Sequence, residues 1–261
     1  MIAGMENTAL LTDVRKILIL RTDGIGDVLN STPAISALRD AYRDARISVV
    51  VRPPGAEILL NNPHVDEVLV YDTKNPTARV RFFRQLWTGR YDMAVVLHNS
   101  SRCNLMAYLS GARYRIGCKS ERKRFNSTLT HWVSFRDPKG TKHEIDRNMD
   151  VARLVGVKDS VRELVLLLSD EERMYARNFL RQHHLRLVGI HPGGSSFDKL
   201  WPAENFAHVA NRLIQEFDAE IILFNGPGED ALAQSIQKLM IRPPIHAAGI
   251  RLRQLAALIE R

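Results

Sequence analysis

The stretch Lys16-Ile-Leu-Ile-Leu-Arg-Thr-Asp-Gly-Ile-Gly-Asp-Val-Leu-Asn-Ser-Thr-Pro-Ala-Ile35 decides the architecture. Lys16–Leu20 is a short apolar run and reads as a buried strand. Thr22–Asp27 is a glycine-bearing loop, and Val28–Tyr42 reads as a helix. A strand that turns tightly into a helix is the repeating unit of a parallel α/β sheet. The pattern continues outward, with strands expected at Arg46–Val51, Glu67–Tyr71 and Tyr91–Leu97. A helix is expected from Phe82–Leu86, and Leu164–Leu168 is a further apolar run of strand length. Ser169-Asp-Glu-Glu172 is a capping box that opens a helix to about His183. A second βα series follows, with strands at Arg186–His191, Glu220–Asn225 and His246–Ala248. Its helices fall at Pro202–Phe217, Gly228–Met240 and Leu252–Glu260. The fold class is therefore α/β with parallel sheets in two domains, 1–168 and 169–261. The second is incomplete, because three βα units make half of a doubly wound sheet. If its first strand is central, that strand lacks a neighbour. Either the chain stops early or something else covers the apolar edge.

Composition sets the class. With 261 residues, 45% apolar and 25% charged, the chain reads as an ordinary globular protein of one to two domains. No apolar run approaches the ~20 residues that span a bilayer. The first fourteen residues hold Glu6 and Asp13 without a basic start or long apolar stretch, so no secretory signal is read. Two cysteines, Cys103 and Cys118, without zinc spacing, fit a reduced cytoplasmic setting. The net charge of +8 is uneven: residues 79–162 hold 18 Lys and Arg against 7 Asp and Glu. That segment is either a solvated basic face or a surface for an anionic partner. Nucleic acid has this charge in its favour and no motif, so no nucleic-acid partner is expected.

Three loops follow strands and precede helices. In the first, Thr22, Gly24 and Gly26 allow a close backbone approach at a helix start. Gly24-Ile-Gly26 is followed by Asp-Val-Leu29, so the third glycine of a dinucleotide fingerprint is missing, and a nicotinamide dehydrogenase is disfavoured. Asp27 either caps the helix or serves as a carboxylate base at a strand's carboxyl end. In the second loop, Gly194, Ser195, Ser196 and Lys199 compose a phosphate cradle without a P-loop. In the third, Glu229 either caps the next helix or accepts from a ribose. His98 and Asn99 line a cleft or only turn the chain. His143-Glu-Ile-Asp-Arg147 lacks the second histidine of a zinc site, and no metal is expected.

Four segments in order resemble glycosyltransferase family 9, the ADP-heptose:lipopolysaccharide heptosyltransferases and their relatives. They are Lys16–Leu38, His143–Gly156, Val188–Pro202 and Phe224–Glu229. The resemblance implies a GT-B fold of two Rossmann-like domains, the first for the acceptor and the second for the nucleotide sugar. It implies inverting, metal-independent transfer of heptose from ADP-heptose to the lipopolysaccharide inner core, with no cofactor. Asp27 would be the general base. Lys199, Ser195, Ser196 and Gly194 would serve the diphosphate, and Glu229 the ribose. The 79–162 segment would face the anionic acceptor. The implied place is the cytoplasm, peripheral at the inner membrane. The family's Asp-x-Gly-x-x-His motif is missing here. A transferase, active or silenced by truncation, therefore stands beside a non-catalytic glycan- or lipid-binding chain that uses residues 79–162.

Overall fold

A computed structural model describes residues 9–72, 74–120, 123–134, 140–158, 163–183, 186–194, 199–226 and 228–261. The chain divides into two compact units, Met1–Leu167 and Leu168–Arg261.

The N-terminal unit holds a six-stranded parallel sheet. Its strands are β1 (Lys16–Leu20), β2 (Arg46–Val51), β3 (Glu67–Val70), β4 (Met93–Val96), β5 (Tyr114–Lys119) and β6 (His131–Ser134), in the order β3-β2-β1-β4-β5-β6. The central strands β1 and β4 are buried from Ile17 to Leu20 and from Met93 to Val96. A strand covered on both faces is apolar at every position rather than at alternate ones, which makes these runs visible in the sequence. Strand order reverses between β1 and β4, and the loops leaving their carboxyl ends open the crevice where such sheets hold ligands.

Among the described residues four α-helices connect these strands, α1 (Ile25–Ala41), α2 (Pro53–Leu59), α3 (Pro76–Thr88) and α4 (Ser101–Leu109), and α5 (Glu144–Arg153) follows β6. The helix expected from Val28 begins at Ile25 instead, with Gly24 as its cap residue. The Asp27 carboxylate accepts the Gly24 N–H at 3.2 Å, which draws the glycine loop into the first turn. Pro33 inside α1 has no N–H for the Leu29 carbonyl, and the Thr32 hydroxyl donates there instead at 2.8 Å. That hydroxyl also accepts from Val165 N at 2.9 Å. The run Leu164–Leu168 is not a strand, and the Val165 backbone donor is spent on a side chain of α1. The elements α2, α4, β5 and β6 were not expected from the sequence. β5 buries only Ile116, Gly117 and Cys118, and pairing with β4 and β6 defines it as a strand.

The C-terminal unit has three parallel strands, β7 (Leu187–Ile190), β8 (Glu220–Asn225) and β9 (Ile245–Ala248), in the order β7-β8-β9. Its helices are α6 (Asp170–Leu180), α7 (Ala203–Phe217), α8 (Asp230–Leu239) and α9 (Leu252–Ile259). β8 is central and buried from Ile221 to Phe224, with Leu223 packed in one cluster with Ala207 and Ile236 and Ile221 in another with Ala210. β7 is an edge strand whose Gly189 lies against Phe224; a Cβ there would stand 2.7 Å from the ring. The Ser169–Glu172 capping box opens α6, and Glu172 also binds Arg253 of α9, with Nη2 to Oε2 at 2.8 Å.

Candidate active site

The crevice of the N-terminal unit is organised by Arg21, the residue straight after β1, which is 1% exposed. Nε donates to the Asp27 carbonyl at 3.0 Å, and Nη1 donates to the Leu97 carbonyl at 2.6 Å and to Asn148 Oδ1 at 3.3 Å. Nη2 donates to Glu144 Oε1 at 3.0 Å. Asp23 Oδ1 lies 3.0 Å from Nε, and Asp27 Oδ1 lies 3.4 Å from Nη2. A guanidinium presents five donors in a rigid fork, so it can gather acceptors from α1, from Leu97 after β4 and from α5 at once. Asn148 also donates to the Asn30 carbonyl at 3.0 Å and so ties α5 to α1.

Three carboxylates thus surround one buried cation. Burial pushes Asp23 up to about 6; Arg21 opposes this, while Asp27 and Glu144 add to it. Asp23 is the least exposed of the three side chains, and at about 6 it is still mostly ionised at pH 7. Asp27 is the most open, at 44% exposure. All three line a cavity of about 200 Å³ with His98, Asn99 and Arg147. The His98 ring is held down to about 4 by burial and by the Arg21 charge, so it is neutral near pH 7. Its Nδ1 lies 3.0 Å from the Thr22 hydroxyl, which sits 3.2 Å from the Cys103 sulfur. Both cysteines are free and buried; burial raises the Cys103 thiol and pushes Cys118 up to about 12. The site therefore offers an open carboxylate, a neutral imidazole and a fixed cation. That set can orient a hydroxyl and take its proton. Among the described residues, no group of three or more His, Cys, Asp or Glu is placed to hold a metal ion.

The fold gathers Thr22, Gly24, Asp27, His98 and Asn99 at this one crevice. Gly26 meets open space, so sterics there do not demand glycine. The sequence reading missed Arg21, Asp23, Glu144 and Asn148. Their signal was faint: an arginine ending an apolar strand, and Glu144 and Asn148 four apart on one helix face.

In the C-terminal unit, Glu229 occupies the cap position of α8 without a side-chain capping bond. Its carboxylate turns back, accepts the Gly226 N–H at 2.7 Å and lies 3.9 Å from His191 Nε2. A Cβ on Gly193 would stand 1.9 Å from Glu229 Oε1, so the loop after β7 and the loop after β8 meet at a glycine. Gly194 and Lys199 are both exposed. Ser195 and Ser196 lie outside the described residues.

The sequence profile of glycosyltransferase family 9 (heptosyltransferase) matches residues 79–261. Lipopolysaccharide heptosyltransferase 3 of Escherichia coli is 27% identical over 252 residues, covering 90% of this chain and 72% of that protein. The crystal structure of a family 9 glycosyl transferase from Veillonella parvula superposes with a TM-score of 0.83 at 27% identity, covering 97% and 75% of the two chains. The E. coli heptosyltransferase WaaC with ADP shares the fold at a TM-score of 0.68 and 17% identity, covering 94% and 78%.

Proposed function

The chain belongs to glycosyltransferase family 9, the heptosyltransferases, and on that premise we propose that it moves heptose from ADP-heptose to the lipopolysaccharide inner core with inversion and without a metal. The N-terminal unit takes the acceptor and the C-terminal unit the donor. The carrying observation is the Asp27 carboxylate, open to the crevice and located by Gly24 N–H and Arg21. Asp27 accepts the proton of the acceptor hydroxyl. The hydroxyl oxygen bonds to the anomeric carbon on the face opposite the diphosphate, and the bond to the diphosphate oxygen breaks. Neutral His98 and Asn99 orient the acceptor. Positive charge grows on the sugar and negative charge on the leaving diphosphate, so a cation fixed beside the diphosphate lowers the barrier. We assign that cation to Lys199, helped by Gly194, Ser195 and Ser196 on the same loop, and the ribose to Glu229. WaaC solved with ADP supports the nucleotide half of this reading. The excess of cations in 79–162 suits an anionic acceptor. Among the described residues no helix is long and apolar enough to cross a membrane, and we place the protein in the cytoplasm, peripheral at the inner membrane.

Calorimetric titration with ADP and ADP-heptose, followed by a transfer assay, tests the proposal. Both ligands are expected to bind. Asp27→Asn is expected to lower kcat by about 10²–10⁴-fold with ADP affinity unchanged. Full transfer by Asp27→Asn removes the base role. A folded chain that binds neither ligand yet still binds lipopolysaccharide leaves the non-catalytic reading.

A further inference from the structure

Helix α3 has a surface that neither the crevice nor the donor loops use. Between Asp72 and Asp92 the chain carries five cations, Lys74, Arg79, Arg81, Arg84 and Arg90, and no acidic residue. The helix buries Phe82 and Leu86 in the core with Tyr71. Its outer side carries Val80 and Trp87, each 71% exposed, more than any other large apolar side chain described. Val80, Arg84 and Trp87 stand at i, i+4 and i+7, so they form one stripe, and Arg81 flanks it. Arg81, Arg84 and Arg90 are all exposed.

Two kinds of occupant fit this stripe poorly. An apolar protein partner would desolvate Arg84 between Val80 and Trp87 without a counter-charge. A simple polyanion would meet the arginines and leave the indole and the valine in water. An anionic bilayer surface satisfies both: an indole prefers the headgroup level, and guanidinium groups prefer lipid phosphates. A 13-residue helix is about 20 Å long, enough to lie along the interface. Its first turn follows β3 at the carboxyl end of the sheet, the same end as Asp27 after β1.

We propose that α3 docks on an anionic lipid surface, with Val80 and Trp87 at the headgroup–acyl boundary and Arg81, Arg84 and Arg90 on phosphates. The proposal deepens the peripheral placement given above by naming the surface that makes it.

The test is co-sedimentation of the full chain with phosphatidylcholine vesicles, with and without phosphatidylglycerol. The expected result is binding that requires phosphatidylglycerol and weakens with salt. Arg81→Glu with Arg84→Glu should lower the partition coefficient at least about tenfold. Trp87→Ser should lower it several-fold. In a Trp132→Phe, Trp201→Phe background, Trp87 emission should shift to the blue on binding. All these positions are exposed, so circular dichroism should find the variants folded. No binding to phosphatidylglycerol vesicles overturns the proposal. Binding untouched by Trp87→Ser also overturns it, because the attraction is then that of a polyanion alone. Calorimetry with ADP on the same wild-type chain reads the donor proposal separately. Absent ADP binding with intact vesicle binding sinks that proposal and leaves this one standing.

Discussion

Replacing Arg21 by methionine keeps a long side chain in a fully buried position and removes its charge. The structure gives the size of the effect. Arg21 donates to two carbonyls, Asp27 and Leu97, and to Asn148 and Glu144, and it also faces Asp23 and Asp27. Removing one member of a buried ionic cluster strands the others, which costs ~3–5 kcal/mol. Asp27 contributes least to that cost, because it is the most exposed of the three carboxylates. The variant should also respond to pH in a defined direction. Without Arg21, the largest offset to the burial of Asp23 is gone, so its folded-state pKa rises further above its unfolded-state value. Stability is then lost as pH rises through those values and recovered as it falls below them. The deficit should be largest near pH 8 and should shrink toward pH 5. Scanning calorimetry should follow the transition of the N-terminal unit. At about 2–4 °C per kcal/mol for a unit of this size, that transition should drop by roughly 6–20 °C at pH 8. Glu144→Gln should cost less than half as much, because the cation keeps two partners. A transition of Arg21→Met within about 2 °C of wild type, or a deficit independent of pH, would refute the reasoning.

Three further outcomes follow from single contacts. The Arg253 hydrogen bond holds Glu172 down to about 2, so the stability that this contact adds to the C-terminal unit is present above about pH 4.5 and lost as pH falls toward 2. Glu172→Gln should cost ~1–3 kcal/mol at pH 7 and flatten that acid limb, measured by urea unfolding across pH. Gly193→Ala should push the Glu229 carboxylate off Gly226 N–H, because the new methyl would stand 1.9 Å from Oε1. The loss should be ~1–2 kcal/mol in stability, with weaker ADP binding by calorimetry, and an unchanged isotherm would detach Glu229 from the nucleotide. His98 should show no titration by NMR between pH 5 and 8, since burial holds it near 4; an inflection near 6.5 would place the ring in water.

The central strands were legible for a plain reason. A strand covered on both faces must be apolar throughout, and Ile17–Leu20 and Met93–Val96 are. The Ser169–Glu172 capping box was legible because both of its bonds form within four residues. Leu164–Leu168 misled because its composition suits a strand, while the bond that places it comes from Thr32, 133 residues earlier. Asp27 was read as either cap or base, and the fold shows why local pattern could not choose. One oxygen closes the first turn on Gly24, while the other faces Arg21 at the crevice. Arg21 itself was overlooked because arginine ordinarily belongs on the surface.

Local patterning alone therefore determined the βα order apart from α2, α4, β5 and β6, together with the parallel sheets and the three glycine-bearing loops that leave their carboxyl ends. Each of these depends on hydrophobic period and turn chemistry within a few residues. The electrostatics of the crevice were decided only by tertiary structure. Glu144 reaches Arg21 across 123 residues and Asn148 across 127. Whether a charge is buried, and how far burial raises the Asp23 carboxyl, depends on what the rest of the chain packs around it. That environment is written in no single segment.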